Sequence, residues 1–230
     1  MHIPDGFISA GTSLAAGVVS AGGIGVALKK TTDTMEEKQA PLAGLVAAFV
    51  FAAQMLNFPV ALGTSGHLLG GVLATVLVGP WAGAICIALV LFVQGLFFAD
   101  GGLSALGLNV LNMALLGGLG GYAIFRVLRA MLFKTRPMVV VASAIAAGLS
   151  VVLASIGFFV EYAAGGVGDV SFGAMFAAMV GVHALIGVGE AVITALTVSA
   201  VLGVRPDLVY GARHLLQPLE LRAAQPTAGT

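Results

Sequence analysis

The chain has 230 residues, of which 59% are hydrophobic and 9% are charged, whereas a soluble domain carries about 25% charged residues. No Asp, Glu, Lys or Arg occurs in the 61 residues between Lys38 and Asp100. This composition excludes a water-soluble domain and predicts a polytopic membrane protein, and the net charge of zero gives no indication of a nucleic-acid partner. The single cysteine, Cys86, excludes an intrachain disulfide and a multi-thiolate zinc site.

Seven apolar segments follow one another along the chain and predict an all-α bundle of about seven transmembrane helices. They cover approximately residues 7–28, 41–57, 67–79, 82–99, 105–125, 138–160 and 173–203. A transmembrane helix needs about 20 apolar residues, so the third segment is short, and a re-entrant loop is the alternative for it.

The basic residues decide the predicted orientation. They lie between or after the segments, at Lys29, Lys30, Lys38, Arg126, Arg129, Lys134, Arg136, Arg205, Arg213 and Arg222. With seven spans and the N-terminus outside, all ten fall on the cytoplasmic side, as the positive-inside rule requires. We therefore predict a multi-pass protein of the cell (inner) membrane with its N-terminus out and its C-terminus in. Residues 1–204 form one transmembrane domain, and residues 205–230 form a solvated cytoplasmic tail.

Small residues form a ridge on the first segment, at Ser13, Gly17, Ala21 and Gly25. Small residues allow close helix approach in lipid. Packing inside the bundle and docking of another membrane subunit both explain this ridge, and the sequence does not separate them.

The N-terminus offers three nitrogen donors in a row. No basic n-region of a signal peptide precedes the first apolar run, and we expect the chain to begin at Met1 with a free amine. The amine, the His2 amide and the His2 Nδ1 atom would then form a five-membered and a six-membered chelate ring. One further imidazole would complete a plane of four nitrogens, which is typical of Ni(II) or Cu(II).

His67 is the candidate for the fourth donor, because the predicted topology brings it to the same outer face as His2. A single histidine in an outer loop is more often a packing residue, and the chelating position of His2 is what favours a metal site. Asp5, Asn57 and Asp100 lie on the same face and are candidates to orient the ligands through hydrogen bonds.

His183 and Glu190 lie seven residues apart on one face of the last segment. Ionisable groups at membrane depth are candidates for function, and a ligand pair, a proton relay or a structural hydrogen bond would each explain them. We expect them to lie too deep to adjoin the outer site, and we favour a structural or subunit-coupling role.

Several long motifs also resemble a known family. They are MHIPDGF at the start, QMLNFPVALGTSGHLLGG at 54–71, GPWAG at 79–83, QGLFFADGG with LGLNVLNM at 94–113, and HALIGVGEAVIT at 183–194. These motifs resemble the substrate-binding (S) component of nickel/cobalt energy-coupling-factor (ECF) transporters, the CbiM/NikM family. The resemblance implies capture of Ni²⁺ or Co²⁺ from the outer side by Met1, His2 and His67, with the metal as transported substrate and no cofactor.

The resemblance also implies partners in a bacterial or archaeal cell membrane. Similar proteins work with a membrane coupling (T) subunit, two cytoplasmic ATPase subunits and, in some systems, a small accessory membrane subunit. The chain itself contains no GxxxxGK[ST] phosphate loop, so separate subunits would hydrolyse ATP. In this setting the ridge on the first segment becomes a candidate contact for the coupling subunit.

Other functions remain as alternatives. A cobalt-specific S component serving cobalamin synthesis uses the same ligands. An intramembrane metalloenzyme would need an open metal position and a general base, and the sequence contains no HExxH motif. A channel or secondary carrier would predict paired repeats, and no convincing repeat is found. A planar field of nitrogen donors favours nickel, so we expect nickel to be the metal. We expect a substrate-binding subunit and not an enzyme.

Overall fold

The computed structural model describes residues 1–35, 39–61 and 64–215, so Lys38 and Arg222 lie outside the described residues. Nine α-helices are described within these ranges: α1 (Ala10–Thr34), α2 (Ala40–Gln54), α3 (Gly71–Val78), α4 (Pro80–Phe97), α5 (Leu106–Val110), α6 (Gly121–Met131), α7 (Arg136–Gly165), α8 (Phe172–Phe176) and α9 (Val182–Val204). Leu111–Gly120 and Ala177–Gly181 are π-helical and join α5 to α6 and α8 to α9. Each predicted apolar segment therefore contains a helix.

Five helical stretches of the described chain are long and apolar enough to cross a membrane. They are Ala10–Thr34, Pro80–Phe97, Leu106–Met131, Arg136–Gly165 and Phe172–Val204. The prediction of a mostly helical, multi-pass membrane protein is confirmed. The loop after α2 contains a short antiparallel hairpin of β1 (Phe58–Ala61) and β2 (Thr64–Gly66), which the sequence analysis did not predict.

The bundle has two chemically different ends. At the end that we call the N-terminal end, the backbone N–H of Ser9 donates to the carbonyl of Gly165 at 2.6 Å, and that of Gly102 donates to the carbonyl of Ile3 at 2.9 Å. At the opposite end, which we call the basic end, Thr31, Gly79 and Arg213 line one cavity.

The described basic residues share the basic end. Lys29 and Lys30 lie in the last six residues of α1, and Arg126, Arg129 and Lys134 line a cavity together with His214. Arg136 is near the end of α9, and Arg205 directly follows that helix.

The third predicted segment joins the two ends although its helix is short. His67 lies beside His2 at the N-terminal end, and Gly79 lies against Tyr210 at the basic end. Helix α3 has eight residues, which is about 12 Å of helix. The remaining distance is covered by residues 67–70, which have no regular secondary structure.

The ridge on α1 divides into a packed part and an exposed part. A Cβ added at Gly107 would lie 2.4 Å from the Cα of Gly17, so the two backbones touch there. Ala21 and Gly25 are exposed instead, and the buried residues of this helix are Ala16, Ser20 and Ala27. Internal packing therefore explains Gly17, while Ala21 and Gly25 face outward.

Residues 205–215 pack on the bundle. They form two short 3₁₀ helices, Pro206–Leu208 and Tyr210–Leu215, and the side chains of Val209 and Ala212 are buried. The prediction that the whole tail is solvated is wrong for this part, because its apolar side chains close the basic end. Residues 216–230 lie outside the described residues, and the domain boundary at residue 204 stays a prediction.

Candidate metal centre

The first three residues are buried inside the N-terminal end of the bundle. The side chains of Met1 and Ile3 are 0% exposed and that of His2 is 3% exposed. Asn109 holds this segment at Ile3. Its Oδ1 accepts the Ile3 N–H at 2.8 Å, and its Nδ2 donates to the Ile3 carbonyl at 3.2 Å. An asparagine side chain thus pairs with the backbone as a neighbouring strand would.

A tight turn after Ile3 lets the chain fold back into the bundle. The backbone N–H of Phe7 donates to the carbonyl of Pro4 at 3.4 Å, and Gly6 has a φ of 75°, which glycine adopts without strain. Asp5 fastens the turn, because its Oδ1 accepts the backbone N–H of Ser104 at 2.8 Å and also the Ser104 hydroxyl. These bonds lower the pKa of Asp5. They also hold the N-terminal turn against Ser104.

The Met1 amine lies in this buried region and donates a hydrogen bond to the backbone carbonyl of Ser65. Burial lowers the pKa of the amine to about 4, although the nearby Asp100 carboxylate opposes the shift. At neutral pH the amine is therefore uncharged, and its lone pair is available to a metal.

His2 lies next to two of the other predicted residues. Its Nε2 is 3.7 Å from Oδ2 of Asp100, and the same oxygen accepts a hydrogen bond from Nδ2 of Asn57 at 3.0 Å. Burial, followed by the charge of the Met1 amine, lowers the pKa of His2 to about 3, while burial raises the pKa of Asp100. A neutral imidazole faces a carboxylate that can orient its N–H group.

Gly101 makes room for this ring. Its φ is 93°, and an added Cβ would lie 2.9 Å from Nδ1 of His2 and 3.0 Å from Nδ2 of Asn109. A side chain at this position would have to displace both groups.

His67 meets His2 inside the bundle, as the sequence predicted. The two ring centroids are 4.6 Å apart, and His67 is 1% exposed. Nδ1 of His67 is 2.7 Å from the carbonyl of Leu68, and since a carbonyl can only accept, this nitrogen carries the proton. Nε2 then has a free lone pair, and it has no hydrogen-bond partner among the described residues.

The irregular segment that carries His67 is held by two other helices. Glu190 of α9 accepts the N–H groups of Leu69 and Gly70, each at 2.7 Å, and Gln54 of α2 donates to the Leu69 carbonyl at 2.7 Å. Irregular backbone at membrane depth persists only where such groups are satisfied. The structural role that the sequence left open for Glu190 is therefore the observed one.

His183 lies nearer to the first residues than the sequence analysis expected. It is within electrostatic range of the Met1 amine and of His67, so its depth does not separate it from this region. Its Nδ1 donates to the carbonyl of Met179 at 2.7 Å, and Nε2 has no partner in the described part of the chain. The π-helix directly before α9 inserts extra backbone at this level, which helical periodicity in the sequence did not reveal.

The available donors restrict what kind of metal site can form. Over the described ranges, no group of three His, Cys, Asp or Glu side chains lies close enough to hold a metal ion. The nitrogen atoms in this region are the Met1 amine, the backbone amide of His2 and the imidazoles of His2 and His67. Nitrogen donors suit late divalent transition metals better than Mg²⁺ or Ca²⁺.

Known proteins have similar sequences and a similar fold. Residues 2–208 match the CbiM family, described as the cobalt uptake substrate-specific transmembrane region. A putative metal transport protein from Haloquadratum walsbyi is 37% identical over 213 residues, which cover 91% of this chain and 94% of the relative. A putative fused nickel transport protein NikMN from Archaeoglobus fulgidus is 38% identical over 91% of this chain and 68% of its own length.

A solved structure agrees with these matches. The crystal structure of a truncated transition metal transporter superposes with a TM-score of 0.81 and 32% identity, and covers 88% of this chain and 99% of that one. The matching proteins are metal transport proteins and not enzymes. The chain therefore belongs to the CbiM family and is a cobalt or nickel uptake component of the CbiM/NikMN type.

Proposed function

We propose that this protein captures Ni²⁺ at the outer face of a bacterial or archaeal cell membrane, as the S component of an ATP-driven ECF transporter. The observation that carries the proposal is the burial of Met1, His2 and His67 at one end of the bundle, where the two rings lie 4.6 Å apart. This burial also lowers the pKa of the Met1 amine to about 4. The amine, the His2 amide, the His2 Nδ1 atom and the His67 Nε2 atom would bind the metal. Asp100 and Asn57 would orient the His2 ring, and Asp5 would fix the N-terminal turn.

Nickel is the favoured substrate because of the donor set. Four nitrogens in a plane, one of them an ionised amide, provide the strong planar field typical of Ni(II) or Cu(II). Cobalt uptake through the same ligands is the second candidate, and the description of the matching family favours it.

Seven crossings, with the N-terminal end outside, fit the charges of the two ends. All described basic residues belong to the basic end, and the positive-inside rule assigns that end to the cytoplasm. Residues 67–79 would supply the third crossing, since about 12 Å of helix and at most about 13 Å of irregular chain approach the thickness of a bilayer core.

The partners would be the T subunit, two cytoplasmic ATPases and, in some systems, a small accessory membrane subunit. Proteins of this family are components of multi-subunit transport systems. Ala21 and Gly25 of α1 are exposed small residues, and small residues let another helix approach closely. We propose this exposed part of the ridge as the contact for the T subunit.

Blocking the N-terminus tests the ligand set. Extension of the chain by Gly-Ser before Met1 should abolish high-affinity Ni²⁺ binding in titrations of the purified protein, because it removes the amine from the site and cannot fit the buried pocket. His67→Ala should reduce Ni²⁺ affinity by more than the ~10–100-fold that removal of an outer-sphere partner causes.

The controls for this test are His214→Ala, at the basic end, and the same Gly-Ser extension at the C-terminus. Both should bind Ni²⁺ as the unmodified protein does. Unchanged affinity after the N-terminal extension would show that the amine is not a ligand.

Proton release tests the role of the His2 amide. At pH 7 the Met1 amine and the His2 ring are already neutral, with pKa values of about 4 and about 3. Binding should therefore release one proton per Ni²⁺, from the amide, and affinity should rise by about tenfold for each pH unit between pH 6 and 8. Calorimetry in buffers of different ionisation enthalpy measures this number. A value of zero excludes the amide as a ligand, and a value of two means that the amine is charged before binding.

Glu190→Gln tests whether the backbone clamp positions His67. Glutamine offers one acceptor oxygen, and its NH₂ group would face a backbone N–H, so one of the two bonds is lost. We expect Ni²⁺ affinity to fall by about 10–100-fold while the far-ultraviolet circular dichroism is retained. Thr194→Val, one turn further along α9 and equally buried, is the matched control. Equal affinities for both variants would contradict a positioning role.

Ala21→Leu tests the contact with the T subunit. A bulky side chain on the exposed ridge should abolish ⁶³Ni uptake by cells that carry all subunits, while the purified S component binds Ni²⁺ normally. Ala200→Leu, on the exposed face of α9, is the control and should transport normally. Normal uptake by Ala21→Leu would exclude this surface as the docking site.

A further inference from the structure

A second polar site lies at the basic end, on the opposite side of the bundle from the metal ligands. It is an open cavity of about 260 Å³ between α6 and the segment Tyr210–Leu215. The cavity is lined by Tyr122, Phe125, Arg126, Arg129, Ala130, Lys134, Gly211 and His214. Among the described residues, the lining contains three cationic side chains and no carboxylate.

Arg129 is the buried member of this lining. Its side chain is only 9% exposed, although a guanidinium is costly to bury without an opposite charge. Its Nη1 donates to the Phe133 carbonyl at 2.9 Å, and its Nη2 is 2.5 Å from Nε2 of His214. Nε has no hydrogen-bond partner in the described ranges.

The groups around Arg129 do not neutralise it. Burial and the charges of Arg129 and Lys134 lower the pKa of His214, so this histidine is neutral at pH 7 and accepts a hydrogen bond without adding negative charge. Arg126 and Lys134 are exposed at the rim and add two further positive charges. The described side chains around the cavity therefore provide no anion to balance its three cations.

The surroundings of the cavity indicate where this anion comes from. Val127 and Met131 neighbour the cavity residues of α6, and Phe133 follows the helix; they are 61%, 78% and 83% exposed. Tyr122 contributes an aromatic ring to the lining, and such rings favour the membrane–water interface. A ligand that carries both a phosphate and apolar chains would satisfy the cations and the exposed apolar side chains together.

We propose that this cavity binds the phosphate headgroup of an anionic phospholipid of the inner leaflet. Arg129 and Arg126 hold the phosphate, Lys134 closes the rim, and the acyl chains follow the exposed apolar residues of α6. Basic pockets between transmembrane helices on the cytoplasmic side are suited to such headgroups. The site is independent of the metal ligands, so its test does not depend on nickel capture.

Native mass spectrometry of the full, delipidated protein with added phosphatidylglycerol or phosphatidylcholine tests the proposal. We expect preferential binding of phosphatidylglycerol. The double variant Arg126→Gln/Lys134→Gln should weaken it by about five-fold for each cation removed. Lys30→Gln, an exposed cation at the same end but outside the cavity, is the control and should bind normally. These variants leave the buried Arg129 in place, and an unchanged far-ultraviolet circular dichroism spectrum and thermal unfolding midpoint confirm that they are folded.

Three results would overturn the proposal. Equal binding of both lipids, or equal loss in Lys30→Gln and the double variant, would mean that the cavity has no specific role. Full competition by millimolar inorganic phosphate would mean that the site takes a soluble anion and not a lipid headgroup.

Discussion

The structure depends on burying a chain terminus that carries no net charge. An ionised amine inside an apolar bundle is strongly disfavoured, and the lowered pKa of the Met1 amine resolves this conflict by removing the proton. The same loss of a proton frees the lone pair that the proposed metal site would use. Asn109, which pairs with the backbone of Ile3, holds the segment that carries this amine in place.

The second requirement is a length of irregular backbone inside the bundle. Residues 67–70 expose backbone groups that a helix would satisfy, and Glu190 and Gln54 satisfy several of them. Gly70 is needed at this point because its φ is 71° and an added Cβ would lie 2.8 Å from Val50. The segment that carries His67 is thus linked to α2 and α9 by hydrogen bonds to Leu69 and Gly70, so movement of either helix would also move the His67 imidazole.

The sequence predicted the membrane class, the mostly helical fold and the meeting of His2 with His67. These features follow from hydropathy, charge and side-chain chemistry, which are properties of residue types. It did not predict the hairpin at 58–66, the packed segment 205–215 or the position of His183. These depend on tertiary packing and on a π-helix before α9, which shifts the face of a helix without any change in composition. The Ser65 carbonyl, which accepts from the Met1 amine, carries no signal in the sequence because any residue has one.

The central claim is that nickel binds in a plane of four nitrogens made by Met1, His2 and His67. X-ray absorption at the nickel edge, combined with magnetic susceptibility of the nickel-loaded protein, tests it most directly. Four nitrogen neighbours in a planar arrangement and a diamagnetic ion are the predicted result, since a strong planar field pairs the d⁸ electrons. A paramagnetic ion with six mixed nitrogen and oxygen neighbours would contradict the claim.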